Sequence, residues 1–337
     1  MSQLYPFLMI PIFDERPWGV RDLRPVYTRV VNEPIGESWL TWEDNRVANG
    51  PLAGQSIGDL AKRYRRELVG SLACYEDRFP LLIKFLFSGD KLSVQVHPDD
   101  DGARRYGQPC GKTECWYVLR AEPGAQVALG LKPGVTLEEF RNSIEEERAE
   151  ELLNWVDVYA GDMLYVAAGT VHTIGGGTVL VETQQTSDIT YRLYDYGRPR
   201  ELHIEKGLEA VKLHTNAGKV VRDEVAEGYN VLVQSPFFQV EKYLLRANNT
   251  LRIQRQEALS PHILVAVNGA GIVESPGTES ITFATGDAVV IPASVGEYTI
   301  RPQWDLELMC MSLCAANVAE PETALPKSAS VPWVDPI

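Results

Sequence analysis

One twelve-residue unit occurs twice in the chain and narrows its fold more than any other feature. Gly161-Asp162-Met-Leu-Tyr-Val-Ala167-Ala168-Gly169-Thr-Val-His172 is answered by Gly286-Asp287-Ala-Val-Val-Ile-Pro292-Ala293-Ser294-Val-Gly-Glu297. In both copies Gly-Asp makes a tight turn, an apolar run of strand length follows, and small residues turn the chain again. Two copies of such a unit predict two β-barrels in one chain. Most other apolar runs agree, being short and bounded by Gly, Pro, Asn or Asp. At 337 residues the chain is too long for one small barrel and fits two modules sharing a continuous core.

Three stretches read as helix instead. Ser56 to Val69 sets Ile57, Leu60, Ala61, Tyr64 and Leu68 at helical spacing. Thr136-Leu-Glu-Glu139 is a capping box that opens a charged helical region running to about Trp155. Glu205 to His214 is a shorter candidate. The tail from about Ala315, rich in Pro, Ala and Ser, is expected to be a loosely packed terminus.

Lys plus Arg number 32 against 46 Asp plus Glu, a net charge of -14. That balance disfavours nucleic acid and anionic membranes as partners. An anionic substrate must therefore meet a local cluster of positive charge, so Lys and Arg near any site are informative. No basic leader region opens the chain, and no stretch approaches the ~20 apolar residues of a membrane span. The five cysteines form no C-x-x-C pair, and their odd number argues against a disulfide framework. The expectation is a cytoplasmic protein with reduced thiols.

The run Lys91-Leu-Ser-Val-Gln-Val-His97 alternates cleanly. Leu92, Val94 and Val96 share one face, and Ser93, Gln95 and His97 the other. A hydroxyl, an amide and an imidazole on one face of one strand point to a site rather than a core. Glu114 opens the strand Glu114-Cys-Trp-Tyr-Val-Leu119, and His172 closes the first repeat unit. Two imidazoles, a carboxylate and an amide oxygen suit a borderline divalent ion such as Zn²⁺, one per chain, with Fe²⁺ or Mn²⁺ left open. His97, Glu114 and His172 are the expected ligands and Gln95 the fourth. A site with room for a substrate oxygen is a catalytic pattern more than a closed structural one.

These motifs carry a resemblance. Gly161 through His172 matches the second signature of the cupin superfamily, with Ala167 where cupins usually have Pro. More specifically, Ser93-Val-Gln-Val-His97-Pro-Asp, Gly-Lys112-Thr-Glu114-Cys-Trp-Tyr and Ala-Gly-Thr-Val-His172 resemble the type I mannose-6-phosphate isomerase family, in its short bacterial form. Pro80-Leu-Leu-Ile-Lys84, Arg16-Pro-Trp-Gly19, Gly36-Glu-Ser-Trp39 and Val181 through Tyr196 add to it. The resemblance covers the first two thirds of the chain strongly. It implies a mainly β fold of two cupin-type jelly-roll barrels, with helical insertions in the first. Residues 1–229 would form the catalytic barrel, 230–314 a second, degenerate barrel, and 315–337 the tail. It also implies a zinc-dependent aldose–ketose isomerase acting on a sugar phosphate, as monomer or homodimer. Gln95, His97, Glu114 and His172 occupy the metal-ligand positions, Arg192 the catalytic arginine, and Ser93, Lys84 and Lys112 the substrate pocket. Ala167 would loosen the turn presenting His172, and the divergent stretch Val20 to Asn49 bears on substrate preference.

Moving a carbonyl between C1 and C2 of a sugar needs proton abstraction beside a carbonyl, through an enediol. A metal supplies a Lewis acid for the developing charge, and Arg192 either a second fixed charge or a hold on the phosphate. Lys112, with its pKa depressed by a nearby metal, and Glu182 both qualify as the base. Lys84 lies inside the apolar run Leu81 to Phe87, where an unpaired ammonium is costly. A metal-dependent cupin dioxygenase is the rival reading, since two His and one carboxylate also describe Fe²⁺ oxygenase sites. A non-enzymatic sugar-sensing cupin is the third. Glu297 stands where the repeat would place a ligand, but no Gln-x-His strand precedes it, so the second barrel is expected to bind no metal.

Overall fold

The structure is a computed structural model that describes residues 4–221, 226–315 and 318–324. It is mainly β, with antiparallel sheets of eight, six, five and four strands. Alternation within strands explains how the sheets stack. On Leu81–Ser88 and Glu114–Ala121, Phe85, Phe87, Cys115 and Tyr117 enter one core while Leu86, Trp116 and Val118 enter another. Leu81–Ser88 is buried along its whole length, so its lysine is enclosed with it. Leu86, Trp116, Val127 and Leu129 join the eight-stranded sheet to the five-stranded one. Phe85, Tyr117, Val265 and Met309 join its other face to the six-stranded sheet. Leu264, Val289, Phe283 and Tyr298 then join that sheet to the four-stranded one. The order of layers is therefore five, eight, six and four strands, and each buried aromatic or aliphatic side chain contributes about 1.5–3 kcal/mol to holding them.

The two sheet pairs share a topology. Eight consecutive strands from Leu81–Ser88 to Thr178–Gln185 recur as eight from Gln239–Leu245 to Leu306–Ser312. In both sets the first strand pairs with the eighth, the eighth with the third, and the third with the sixth. The second pairs with the seventh, the seventh with the fourth, and the fourth with the fifth. The chain crosses between the modules at both ends. Phe7–Leu8 pairs with Ala288–Ile291 in the second, and Thr323–Ala324 with Gly218–Val220 in the first. Residues 318–324 of the expected loose tail are thus tied down, with Val221 N donating to Glu322 O (3.0 Å) and Asn216 Nδ2 to Pro321 O (2.5 Å). The other tail positions, 316–317 and 325–337, lie outside the described residues.

The helices are shorter than their apolar spacing predicts. Ser56 caps Ile57–Tyr64, but Arg65 adopts φ 48° and divides the stretch into that helix and Arg66–Val69. The Thr136/Glu139 capping box forms, yet Leu137–Glu145 stops early, with Glu147 at φ 58° just beyond it. Leu153–Asp157, including Trp155, is a strand that pairs with Gln126–Leu131. Ile204–Ala210 likewise ends before His214. A helix the spacing did not announce, Asp100–Arg105, follows His97-Pro98, with Asp99 accepting from Gly102 N at its start. Among the described residues no helix is long and apolar enough to cross a membrane.

Candidate metal centre and active site

Strand pairing brings the candidate residues to one place. His172 lies opposite Gln95, and Gln95 opposite Arg192, on adjacent strands of the five-stranded sheet. In the eight-stranded sheet Glu182 lies opposite Lys84 on one side and Trp116 on the other, two positions from Glu114. These side chains meet between the two sheets, where an all-apolar barrel would have its core. Gly169, at φ 91°, turns the chain into His172, and its N–H donates to His97 O at 2.8 Å. The turn closes without the usual proline, because Thr170 donates to Ala167 O from both N (3.2 Å) and Oγ1 (2.6 Å).

Ligand atoms of His97, Glu114 and His172 all lie within 4.8 Å of one another, and all three residues are buried. His97 Nδ1 donates to Ile189 O (2.8 Å) and His172 Nδ1 to Thr170 O (2.9 Å), which leaves each Nε2 an acceptor, that of His97 taking a hydrogen bond from the Lys112 ammonium at 3.1 Å. The Nε2 atoms stand 3.5 and 3.4 Å from the two Glu114 oxygens. Burial, reinforced by the charge on Lys112, pushes His97 well below the usual imidazole range. Burial likewise lowers His172 to about 4, so both rings are neutral donors. Glu114 Oε2 pairs with the Lys112 ammonium at 2.9 Å, while Oε1 has no hydrogen-bond partner. A buried carboxylate oxygen with no donor, set between two neutral imidazoles, is left unsatisfied by the protein and would be satisfied by a metal cation. The donor set therefore fits a divalent metal. Gln95 stands beside it, its Nε2 3.2 Å from His172 Nε2, and Ser93 Oγ donates to Gln95 Oε1 at 3.4 Å.

A cavity of about 440 Å³ opens over this cluster, and Lys84, Ser93, Gln95, Lys112, Glu182 and Arg192 all line it. Glu182 is fully enclosed and receives a hydrogen bond from Trp116 Nε1 at 3.2 Å. Burial, offset in part by Lys112, raises its carboxyl to about 7. The depression expected of Lys112 is one that a bound metal would cause, and the protein's own groups act the other way. Burial does work against its charge, but Glu114, Glu182 and Asp188 outweigh burial and hold it above the usual lysine range. Lys84 is similarly enclosed, with Glu37, Asp188 and Glu182 at 3.4, 3.5 and 3.8 Å and the Trp39 ring 4.2 Å away. Against burial, Glu37 and Glu182 keep it charged. Arg192 donates from Nη1 to Glu201 O (2.8 Å), while its buried Nε has no hydrogen-bond partner, with Asp195 Oδ2 4.0 Å away.

The pocket also contains residues to which sequence reasoning gave no role. Glu37 accepts from Trp39 Nε1 (2.6 Å) and Arg16 Nε (3.2 Å). Burial opposes its charge, but Lys84 and Arg16 prevail and lower it to about 2. Arg16, Trp18, Asp188 and Arg200 line the same cavity. The signal for most of them was present in the motifs Arg16-Pro-Trp-Gly19 and Gly36-Glu-Ser-Trp39, which lie far from the metal strands in sequence. Glu297 stands apart from this cluster. It faces outward against Arg252 (2.5 Å), and its neighbour Tyr298 takes the interior position.

Comparison with known proteins adds to this geometry. The family model "Phosphomannose isomerase type I, catalytic domain" matches residues 24–127. The mannose-6-phosphate isomerase ManA of Bacillus subtilis is 35% identical over 314 residues, covering 88% of this chain and 96% of that protein. The crystal structure of the mannose 6-phosphate isomerase from Bacillus subtilis superposes with a TM-score of 0.80 at 31% identity, covering 91% of this chain and 99% of that one. A zinc-bound mannose 6-phosphate isomerase shares the fold at 15% identity, with a TM-score of 0.73 over 92% of this chain and 99% of that one.

Proposed function

The chain belongs to the type I phosphomannose isomerase family, and from that premise we propose that it interconverts mannose 6-phosphate and fructose 6-phosphate at the pocket over Glu114. One observation carries the reading: the buried, unpartnered Glu114 Oε1 between two neutral imidazoles, beside a cavity lined by several cations. His97, Glu114 and His172 would hold one Zn²⁺. Gln95 completes the set when its amide is turned so that Oε1 takes the place now held by Nε2. When bound, the ion supplies a Lewis acid for negative charge developing on the sugar oxygens.

The chain's own residues do the rest. Glu182 carries the proton between C1 and C2. A carboxyl at about 7 both takes and returns a proton at neutral pH. Lys112, kept as an ammonium, donates hydrogen bonds to the sugar oxygens rather than acting as the base. Lys84 is balanced by three carboxylates, so it positions Glu182 at the pocket wall and supplies less free charge than a lone lysine would. Arg192 has a buried donor to spare and a fixed charge, which suits an enediolate. Arg16 and Arg200 on the same cavity give the phosphate a cationic place in a chain of net charge -14. Ser93 orients Gln95 and borders the sugar.

On the same reading the two sheet pairs are two cupin-type jelly-roll barrels, a catalytic unit at 1–229 and a second at 230–314, exchanging Phe7–Leu8 and Thr323–Ala324. Five free thiols fit a cytoplasmic enzyme. The test is conversion. Fructose 6-phosphate incubated with the protein in heavy water yields mannose 6-phosphate with some deuterium at C2, without oxygen, and the reaction stops with chelator. The unphosphorylated sugar reacts far more slowly. Oxygen uptake without isomerisation would instead support the dioxygenase.

A further inference from the structure

The shared topology allows the two modules to be matched residue by residue, because cross-strand pairs repeat. Glu114 lies opposite Val166 as His262 lies opposite Ile291, so His262 takes the place of Glu114. Trp116 and Leu264 follow on the same interior face. Gln95 lies opposite His172, and Ile253 opposite the interior Tyr298. Tyr298 therefore takes the place of His172, and Arg255, two residues beyond Ile253, takes that of His97. Cys310 lies opposite Leu264 as Glu182 lies opposite Trp116, so the proton carrier is replaced too.

We infer that the second module keeps the frame of the metal site and fills it with a cation of its own, the guanidinium of Arg255. Arg255 donates from Nε to Val295 O (3.0 Å), from Nη1 to Ser260 O (2.8 Å) and from Nη2 to Pro292 O (2.6 Å). Those carbonyls belong to the turn before the seventh strand and the segment before the third, which in the first module are the chain segments that present His172 and Glu114. Tyr298 and His262 complete the place, with His262 Nδ1 2.6 Å from Tyr298 OH and the guanidinium carbon 5.9 Å from the Tyr298 ring centroid. Two loops that a bound ion can hold together in one module are held in the other by a fixed charge and three carbonyls. No ion has to be loaded for the second module to keep its shape.

The inference rests on the metal reading of the first module, and its test separates the two. The place should accept a divalent ion once the guanidinium is removed and imidazoles are supplied. A cavity of about 420 Å³ that touches Arg255 and His262 gives an ion a way in. In a His172→Ala background, which empties the first site, Arg255→His with Tyr298→His should raise zinc from well below one to about one equivalent per chain. In the otherwise wild-type chain the same pair should raise it from about one to about two. Failure of His172→Ala to lose metal would count against the first site alone, and the second comparison would still decide this one. A folded double variant with no added zinc overturns the inference. Should the double variant not fold, Arg255→Leu decides. Loss of the guanidinium should lower Tm by about 3 °C or more, and an unchanged Tm overturns the role assigned to it.

Discussion

In the first module the interior strand ends carry His97, Glu114 and His172, and in the second the same places carry Arg255, His262 and Tyr298. Eight strands with identical pairing surround both sets. What separates a metal centre from a structural plug is therefore a handful of side chains on a common frame, not the frame itself. The polar surroundings changed along with the ligands. In the first module the interior also holds Lys84, Lys112 and Glu182, whose charges balance one another around an open cavity. In the second, Cys310 stands in the place of Glu182, and Leu264, Ile300 and Leu308 pack the interior around it.

That contrast is broken most severely by removing a ligand. His172→Ala or Glu114→Ala should drop bound metal well below one per chain and reduce kcat by about 10³-fold or more, the scale expected when both the Lewis acid and its orientation are lost. Elemental analysis on the same preparation as the assay decides this, and full occupancy in His172→Ala would sink the ligand assignment. Gln95→Ala should lose less metal, since an amide oxygen is the weaker donor.

Arg192→Ala should keep its metal and fold while losing kcat by about 10²-fold. Its own hydrogen bond is to a backbone carbonyl at the protein surface, so the fold has little stake in it. A variant with normal kcat and a raised KM would reassign Arg192 to phosphate binding.

A gentler probe is pH. Glu182 must be ionised to accept a proton, and its carboxyl is raised from 4.5 to about 7. The pH profile of kcat/KM should therefore fall by about tenfold per unit on the acid side of that value. Glu182→Gln should abolish turnover, and a Glu182→Asp variant should retain a displaced acid limb. An unmoved limb in that variant would place the base elsewhere. Stability runs the opposite way for this group. The folded chain holds the proton more tightly than the unfolded one, so as pH rises from 4.5 through about 7 the group withdraws stability. Opposite trends in activity and stability over that window are the signature of a carboxyl kept for chemistry rather than for folding.

Much of this was legible in the sequence, and the parts that were not share a cause. The alternation of Ser93, Gln95 and His97, the capping box at Thr136 and the Gly-Asp repeat are local patterns, and local patterns survive in one dimension. Glu37 and Arg16 enter the site because Val30–Trp39 pairs with Leu81–Ser88 and sets Trp39 opposite Lys84, a long-range pairing that no window reveals. Two of the carboxylates that hold the Lys112 ammonium charged, Glu182 and Asp188, are likewise brought to it from far along the chain. Helix ends were misplaced where one residue takes a positive φ, as Arg65 does, because apolar spacing continues across the break.

The smallest expected effect is also the sharpest on the comparison between modules. Read linearly, the repeat sets Glu297 against His172. Read through strand pairing, the interior place belongs to Tyr298, one residue on, because Glu297 lies opposite Gln254 and points toward Arg252 in solvent. Glu297→Ala should then leave metal content and turnover at wild-type values and shift stability by no more than about 0.5 kcal/mol, as an exposed ion pair allows. Tyr298→Phe should cost more, about 1 kcal/mol, because it removes the hydroxyl that meets His262 in a buried position. Urea denaturation of the two variants, run beside zinc analysis, ranks them. If Glu297→Ala proved the more damaging, or released metal, the linear register would be the right one and the match between the modules would have to be redrawn by one residue.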